Sequence, residues 1–417
     1  MIRRMSPLRR GVYVRRWVTV ALASVVVLSI GVYLPAALLA PLSSVPAAVT
    51  SYNDQPRDAV ALVWPGYGSS AIAAAGYPEA DLSNGSKAPL PMASISKIIT
   101  TLVVLQVKPL AVGSPGPTIT FTAANASLTQ KYVALNGETK PIVAGSTISE
   151  SDLLKVALVA SANNYATVLA IWAYGSESKF IAAARSWLAV HGLGQTVLVE
   201  PTGIDAHNVS TASDLVTLGQ LALADPVVAA IVSTQSLSLP VVGSFSNTNT
   251  LLGENGVAGI KTGTLNGMSN LLFSATWSFG VHRITVVGAV LGGASHMSVD
   301  QVVTALLASV RKSFHEVALT RTGQEFAHYP TPWKASTSAI AESSNSIVVW
   351  GSTPITAKIT ASRAHVSSAE VTEQSKRAGS VTFTAGHQHI DIPLTFNRSL
   401  SEPTALWRIT NPFVGSF

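Results

Sequence analysis

Residues 91–98 read Pro91-Met92-Ala93-Ser94-Ile95-Ser96-Lys97-Ile98, and an apolar run continues to Val107. Eight of the thirteen positions from Ile95 to Val107 are apolar, and Lys97 is the one charge among the rest. That predicts a helix buried on all sides rather than one with a single apolar stripe. At its head stand Ser94 and Lys97, three residues apart and so on one helix face. A serine hydroxyl is a poor nucleophile until a base takes its proton, and an ammonium is not a base. Lys97 can serve only if burial or a second cation lowers its pKa. Taken singly, each residue has an ordinary explanation. A serine here caps a helix, and a lysine snorkels its amine to water.

Two further strings give the pair its meaning. Ser161-Ala162-Asn163 falls at the turn between two expected helices, Asp152–Ala160 and Tyr165–Tyr174. Lys261-Thr262-Gly263-Thr264 falls on an expected strand, Gly259–Leu265. Ser-x-x-Lys recurs at Ser176–Lys179 and Ser309–Lys312, and Ser-x-Asn at Ser51–Asn53 and Ser343–Asn345, so neither string is specific alone. Lys-Thr-Gly occurs once. Order, spacing and setting carry the argument. On this reading Ser94 is the nucleophile, Lys97 its base, and Ser161 a proton relay to the leaving group. Asn163 holds substrate backbone, and Lys261 supplies a positive field that also depresses Lys97. Thr262 and Thr264 offer hydroxyls to a carboxylate, and Gly263 lets an extended peptide approach the strand. The backbone N–H groups of Ser94 and Thr264 are the natural oxyanion pair.

Around these strings the pattern is that of an α+β domain. Val60–Trp64 and Ala71–Ala75, separated by Pro65-Gly66-Tyr67-Gly68, are expected to form a hairpin. Further helices are expected at Glu177–His191, Asp214–Ala224 and Val299–His315. Leu271–Phe279 and Arg283–Leu291 continue the strands. Strands at both ends and helices between them imply one sheet assembled from the two ends of the segment. From about residue 316 short alternating runs (Ser346–Trp350, Ala357–Ala361, Ser380–Ala385, His389–Phe396) predict a separate all-β domain. The expected organisation is a basic tail at 1–16, an apolar span at 17–40, a linker at 41–56, a catalytic domain at 57–315 and a β-rich domain at 316–417.

The 417 residues are 47% hydrophobic and 12% charged, which excludes a disordered chain. The net charge of +6 comes from Arg3, Arg4, Arg9, Arg10, Arg15 and Arg16. The rest is balanced, so nucleic acid is not an expected partner. The run Trp17–Ala40 carries no charge and is long enough for a membrane helix. Arginines on its amino side predict a cytoplasmic amino terminus and everything after residue 40 outside. Two fates stand: an uncleaved membrane anchor, or a signal peptide with Val18–Tyr33 as its core and Val45-Pro46-Ala47 as its cleavage site. The absence of cysteine excludes thiol nucleophiles, thiolate metal sites and disulfides. His387 and His389 lack a third ligand, so no metal site is expected.

Over roughly residues 57–315 the chain resembles the serine D-Ala-D-Ala carboxypeptidases, the low-molecular-mass penicillin-binding proteins. The likeness rests on 91–98, Ser161-Ala162-Asn163, Pro201-Thr202-Gly203-Ile204-Asp205, Ser210-Thr211-Ala212-Ser213-Asp214-Leu215 and Gly259-Ile260-Lys261-Thr262-Gly263. Ile392–Phe396 and Leu406-Trp407-Arg408 are similar, more weakly, to the family's carboxy-terminal β domain. The resemblance implies a β-lactamase/transpeptidase-like fold, an antiparallel sheet with flanking helices and a helical subdomain, followed by a small all-β domain. It implies a substrate, the peptidoglycan stem peptide ending in D-Ala-D-Ala. Ser94 attacks, D-Ala leaves, and water releases the acyl group. β-Lactams act as inhibitors, and no cofactor or metal is needed. Three departures stand out. Thr264 follows Lys-Thr-Gly directly, as in many transpeptidases, which leaves the acceptor open between water and an amine. Glu200 precedes Pro-x-Gly where the family tends to have Asn, similar in chain position to the deacylating glutamate of class A β-lactamases. The end, Trp407–Phe417, is short and broken by proline, so membrane attachment falls to the amino-terminal segment. A transpeptidase, a β-lactamase and a wall-binding protein with a vestigial site remain the alternatives. Rapid turnover of a β-lactam marks a β-lactamase, and failure to label Ser94 marks the vestigial site.

Overall fold

The computed structural model describes residues 7–366 and 376–412, with side chains from residue 11 onward. Arg3 and Arg4 of the basic tail and residues 413–417 of the expected carboxy-terminal segment lie outside the described residues. The chain divides into two units, Pro56–Val317 with Ile347–Thr353, and Met1–Gln55 with Ala318–Ser346 and Pro354–Phe417.

In the first unit an antiparallel sheet is built from β1 (Ser69–Ala74), β2 (Tyr77–Gly85), β3 (Val257–Leu265), β4 (Met268–Phe279) and β5 (His282–Gly293), in the order β3-β4-β5-β1-β2. The early strand β1 pairs with the late strand β5, Ala71 opposite Ala289 and Ala74 opposite Val286. The two ends of the segment therefore close one sheet, as the strand–helix–strand pattern implied. All of β1 is buried, so its side chains serve both faces. Ala71 and Ala73 join a core with Leu272, Val287 and Ala289 against the helical side. Ile72 and Ala74 join Leu271, Phe273 and Val286 against the last helix. Period-two alternation along each strand feeds the two layers.

The helical layer contains α1 (Ser96–Val107), α2 (Ala123–Ala134), α3 (Glu150–Val159), α4 (Asn163–Tyr174), α5 (Glu177–Val190) and α6 (Ala212–Ala224); α7 (His296–Lys312) covers the other face. Helix α1 is buried at every residue from Ser96 to Leu105, because it runs through the middle of the helical core. Ser149, Ser176, Thr211 and Ser295 each cap a helix by accepting an N–H three residues on, which is why α3, α5, α6 and α7 start where they do. Helix α6 lies close on the sheet because residue 219 is glycine. A Cβ there would sit 2.6 Å from Val287 and 3.0 Å from Leu272.

One expected hairpin is displaced. Val60–Trp64 forms no strand; the hairpin joins β1 to β2 through Ala75-Gly76, with Gly76 at φ +81°. Pro65–Gly68 is instead the approach to β1. Gly68, at φ +59°, passes so close to β5 that a Cβ would meet the Leu291 carbonyl oxygen at 1.9 Å. Val60, Leu62 and Trp64 still pack on the core, so their apolar character reported burial rather than pairing.

In the second unit a six-stranded sheet holds Glu325–Pro330, Ser336–Ala341, Ile355–Ala361, Arg377–Ala385, Gln388–Phe396 and a short strand, Ala48–Val49. This revises the linker reading of 41–56. Ala48 pairs with His328 and Val49 with Ala327. Tyr52 stands edge-on to Phe383, and Asp54 accepts the Ile355 N–H. Ile347–Thr353, expected in the β domain, belongs to the first unit, where Trp350 packs on Phe314 at 4.7 Å.

The amino-terminal helix spans Pro7–Leu39. Gly11–Leu39 is long and apolar enough to cross a membrane, with a mean hydropathy of 2.3, and it is almost wholly exposed. A core helix would bury those valines and leucines; this one exposes them, as a membrane anchor or a signal segment does. A short helix, Ala405–Thr410, lies against its end. Tyr33 donates to the Ile409 carbonyl, and Arg408 donates to the carbonyls of Leu38 and Ala40.

Gly219→Val is expected to overpack the helix–sheet contact and cost about 1–3 kcal/mol. Thermal unfolding of the variant would show it as a midpoint several degrees lower. Gly194→Ala, where nothing lies within 4 Å of the added carbon, should leave the midpoint in place.

Candidate active site

Ser94 is held in a single 3-10 turn, Ala93–Ile95, immediately before α1. Ala93 has φ +50°, a left-handed conformation that a residue with a Cβ adopts at some cost. Glycines on two sides keep it there. A Cβ on Gly203 would lie 1.9 Å from the Ala93 carbonyl oxygen, and one on Gly263 2.7 Å from the Met92 carbonyl oxygen. The nucleophile turn is thus gripped between the Pro201–Asp205 loop and the edge strand β3.

The Lys97 amine is fully buried. It lies 2.8 Å from Ser94 Oγ, 2.7 Å from Asn163 Oδ1 and 2.8 Å from the Thr202 carbonyl oxygen. Burial, with the charge of Lys261 behind it, holds this amine well below the usual lysine range, while the carboxylates of Glu200 and Glu138 act the other way. A neutral amine has two N–H donors and one lone pair. Asn163 Oδ1 and the Thr202 carbonyl can only accept, so they take both donors. In that neutral form the lone pair would face the Ser94 hydroxyl, the geometry a general base requires.

Ser161 lies between α3 and α4 at φ +56° and is buried. The next backbone N–H but one, that of Asn163, donates to the Glu138 carbonyl at 2.7 Å. Lys261 is buried on β3, 3.3 Å from the Thr262 carbonyl oxygen, and burial brings its pKa down to about 7, opposed by Glu138. The Thr262 hydroxyl pairs with Thr248 at 2.5 Å, and the Thr264 hydroxyl with His296 Nε2 at 2.6 Å. Ser94, Ser161, Asn163, Thr262, Gly263 and Thr264 converge on one cleft of about 190 Å³. Lys97 lies behind its wall.

Two assignments change in detail. Asn163, expected only to hold substrate, is also a ligand of the Lys97 amine. Ser161 is not among that amine's three partners within the described residues; it lines the cleft together with Ser94. Glu200 does not line the cleft. Its carboxylate accepts from the N–H groups of Thr202 and Gly203 and from Asn208 Nδ2, tying down the loop whose Thr202 carbonyl holds Lys97. The deacylating role considered for it has no geometric support. The sequence reading missed Thr202, Glu138, Thr248 and His296. Thr202 acts through its backbone, which no side-chain motif reports. The other three come from distant loops and a helix start, and only the fold brings them in.

These elements define a class of site: a serine hydroxyl faced by a buried lysine amine rather than by a histidine. The family model described as D-alanyl-D-alanine carboxypeptidase matches residues 82–292, half of the chain. The chain belongs to the D-alanyl-D-alanine carboxypeptidase family. It is 33% identical over 136 residues to a D-alanyl-D-alanine endopeptidase of Pseudomonas aeruginosa, covering 31% of this chain and 38% of that protein. It is 28% identical over 247 residues to the D-alanyl-D-alanine carboxypeptidase DacA of Escherichia coli K12, covering 57% and 59%. The chain thus matches between about two fifths and three fifths of the length of these curated relatives. The crystal structure of penicillin binding protein 5 from Haemophilus influenzae shares the fold, with a TM-score of 0.56 at 18% identity over 82% of this chain and 98% of that one.

Gly203→Ala is expected to disrupt the grip on Ala93. The positive φ of +85° alone costs about 1–3 kcal/mol, and the carbonyl contact adds to it. A lowered thermal midpoint together with lost labelling by fluorescent penicillin is the expected result. Parent-like labelling would mean that Gly203 does not position Ser94.

Proposed function

We propose that this protein is a serine D-Ala-D-Ala carboxypeptidase acting on peptidoglycan stem peptides. The observation that carries the proposal is the Lys97 amine, whose two carbonyl partners leave its lone pair on Ser94. Substrate binds as an extended strand along the free edge of β3, with the amide groups of Asn163 and β3 holding its backbone. Ser94 Oγ attacks the carbonyl between the two D-alanines as Lys97 Nζ takes the hydroxyl proton. The oxyanion is met by the N–H groups of Ser94 and Thr264. The proton then passes to the departing D-Ala amine, with Ser161 bridging once substrate has entered. Water attacks the acyl-enzyme, Lys97 again accepts the proton, and Ser94 is restored. A β-lactam mimics the dipeptide and stops at the acyl stage. The Glu200 geometry favours this reading over a class A-like β-lactamase, since Glu200 is engaged with its own loop rather than with the cleft.

The exposed apolar helix supports attachment to the membrane, with the catalytic unit outside the cytoplasm, where peptidoglycan is. An anchor and a cleaved signal differ in the mass of the mature protein.

The test is acylation. Purified protein is incubated with fluorescent penicillin and the adduct mapped by mass spectrometry. A stable adduct on Ser94, absent in Ser94→Ala, is expected, as is release of D-Ala from a D-Ala-D-Ala peptide. No adduct, with the β-lactam unconsumed, would overturn the proposal. Lys97→Ala should slow acylation by about 10²–10⁴-fold. Lys261→Met removes a positive charge that disfavours Lys97 protonation, so the Lys97 pKa rises. The acid limb of the acylation profile should move to higher pH; a stationary limb would show that burial alone depresses Lys97.

A further inference from the structure

The cleft is charged unevenly. Lys97 and Lys261 stand behind its wall, and both are buried. Glu138 supplies the one carboxylate among the described residues that line it, and Glu138 is exposed. The local chain puts it there. Past the end of α2, Asn136 takes φ +54°. Gly137 then passes so close to Asn163 that a Cβ would lie 2.5 Å from Asn163 Nδ2. The Glu138 carbonyl accepts the Asn163 N–H at 2.7 Å. The backbone of this loop is thus fastened to the start of α4, beside the amide expected to hold substrate.

The side chain is not fastened. Among the described residues no ion pair or hydrogen bond engages the Glu138 carboxylate. The lysines nearest in sequence are placed elsewhere: Lys131 lies over the Tyr132 ring and Lys140 over the Phe245 ring. A carboxylate on the wall of a peptide cleft repels an anion and attracts a cation. The substrate of the proposed reaction ends in a carboxylate. That end is kept away from Glu138, toward the hydroxyls of Thr262 and Thr264. The segment that stays on Ser94 as the acyl group then lies along the wall formed by Asn163 and Glu138.

We propose that Glu138 is the specificity residue for a positive charge on the acyl-donor segment, pairing with a free amine on the side chain of the residue ahead of the two D-alanines. The inference rests on the peptidase reading and deepens it: stem peptides whose side-chain amine is free are selected over those in which it is already acylated. Pairing also acts on the base. The charge of Glu138 favours the protonated forms of Lys97 and Lys261. An ammonium beside it cancels that field and leaves Lys97 more fully in its amine form. The right substrate therefore sharpens the base that attacks it. No motif string contains Glu138; the Gly137–Asn163 contact brings it to the cleft.

The experiment compares two peptides, N-acetylated L-Lys-D-Ala-D-Ala with a free side-chain amine and the same peptide acetylated on that amine. The ratio of kcat/KM for free over acetylated amine is measured for the parent, Glu138→Gln and Glu138→Lys. The glutamine variant keeps the shape of a side chain that has no protein partner, so the fold should be undisturbed. It is expected to lose about 5–20-fold in the ratio, mainly through a higher KM for the free amine. The lysine variant, which repels the amine, is expected to lower the ratio further. A general effect on Lys97 would move both peptides together and cancel in the ratio. An active glutamine variant whose ratio stays within twofold of the parent, or that changes turnover of both peptides in equal measure, would overturn the assignment. A parent protein inactive on both peptides and unlabelled by penicillin would instead overturn the peptidase reading, and the role of Glu138 with it.

Discussion

A lysine amine in a dry interior is the constraint on which this structure turns. An ammonium at that depth would need its charge solvated or paired. Here the surroundings offer two carbonyl oxygens, a serine hydroxyl and, nearby, a second buried lysine. The cheapest state for such a group is neutral, and a neutral amine is a base. On the proposed function, the basicity of Lys97 and the cost of its burial have the same physical origin.

Holding that amine requires three separate pieces of chain. The Ser94 turn comes from the start of α1, Asn163 from the start of α4, and the Thr202 carbonyl from a loop stapled by Glu200. Each is placed by a local device. Ala93 sits at positive φ because Gly203 and Gly263 leave room for its neighbours. Ser161 sits at positive φ where α3 ends and α4 begins. Glu200 gathers two backbone N–H groups and an amide. Strain at Ala93 and Ser161 is tolerated because the packed helical core and the closed sheet over-determine those positions.

The sheet contributes its edge. Strand β3 is paired on one side only, and its free side carries Gly263 and Thr264 along the cleft. An unpaired edge is usually a liability. On the proposed function it is the template for an extended peptide. The same strand buries Lys261 two residues before Gly263 and so on the same face, and its charge acts on Lys97.

Much of this was legible in the chain. Apolar residues on every side of the stretch from Ile95 to Val107 pointed to a buried helix, and the spacing of Ser94 and Lys97 put them on one face of it. The order of the three strings determined the class of site, and the long uncharged run after six arginines determined a helix unfit for water. Apolar character alone could not distinguish a paired strand from a packed one. For that reason Val60–Trp64 has the pattern of a strand yet packs without pairing, and Ala48–Val49 has the pattern of a linker yet pairs. Nor could side-chain motifs report a backbone carbonyl such as that of Thr202, or a histidine carried to Thr264 from a helix on the far side of the sheet. Local pattern fixes which residues are buried and which face they share, because those follow from periods of 2 and 3.6 residues. Which atom ends 2.8 Å from which depends on loop closure and packing across more than a hundred residues, and only the tertiary structure decided it.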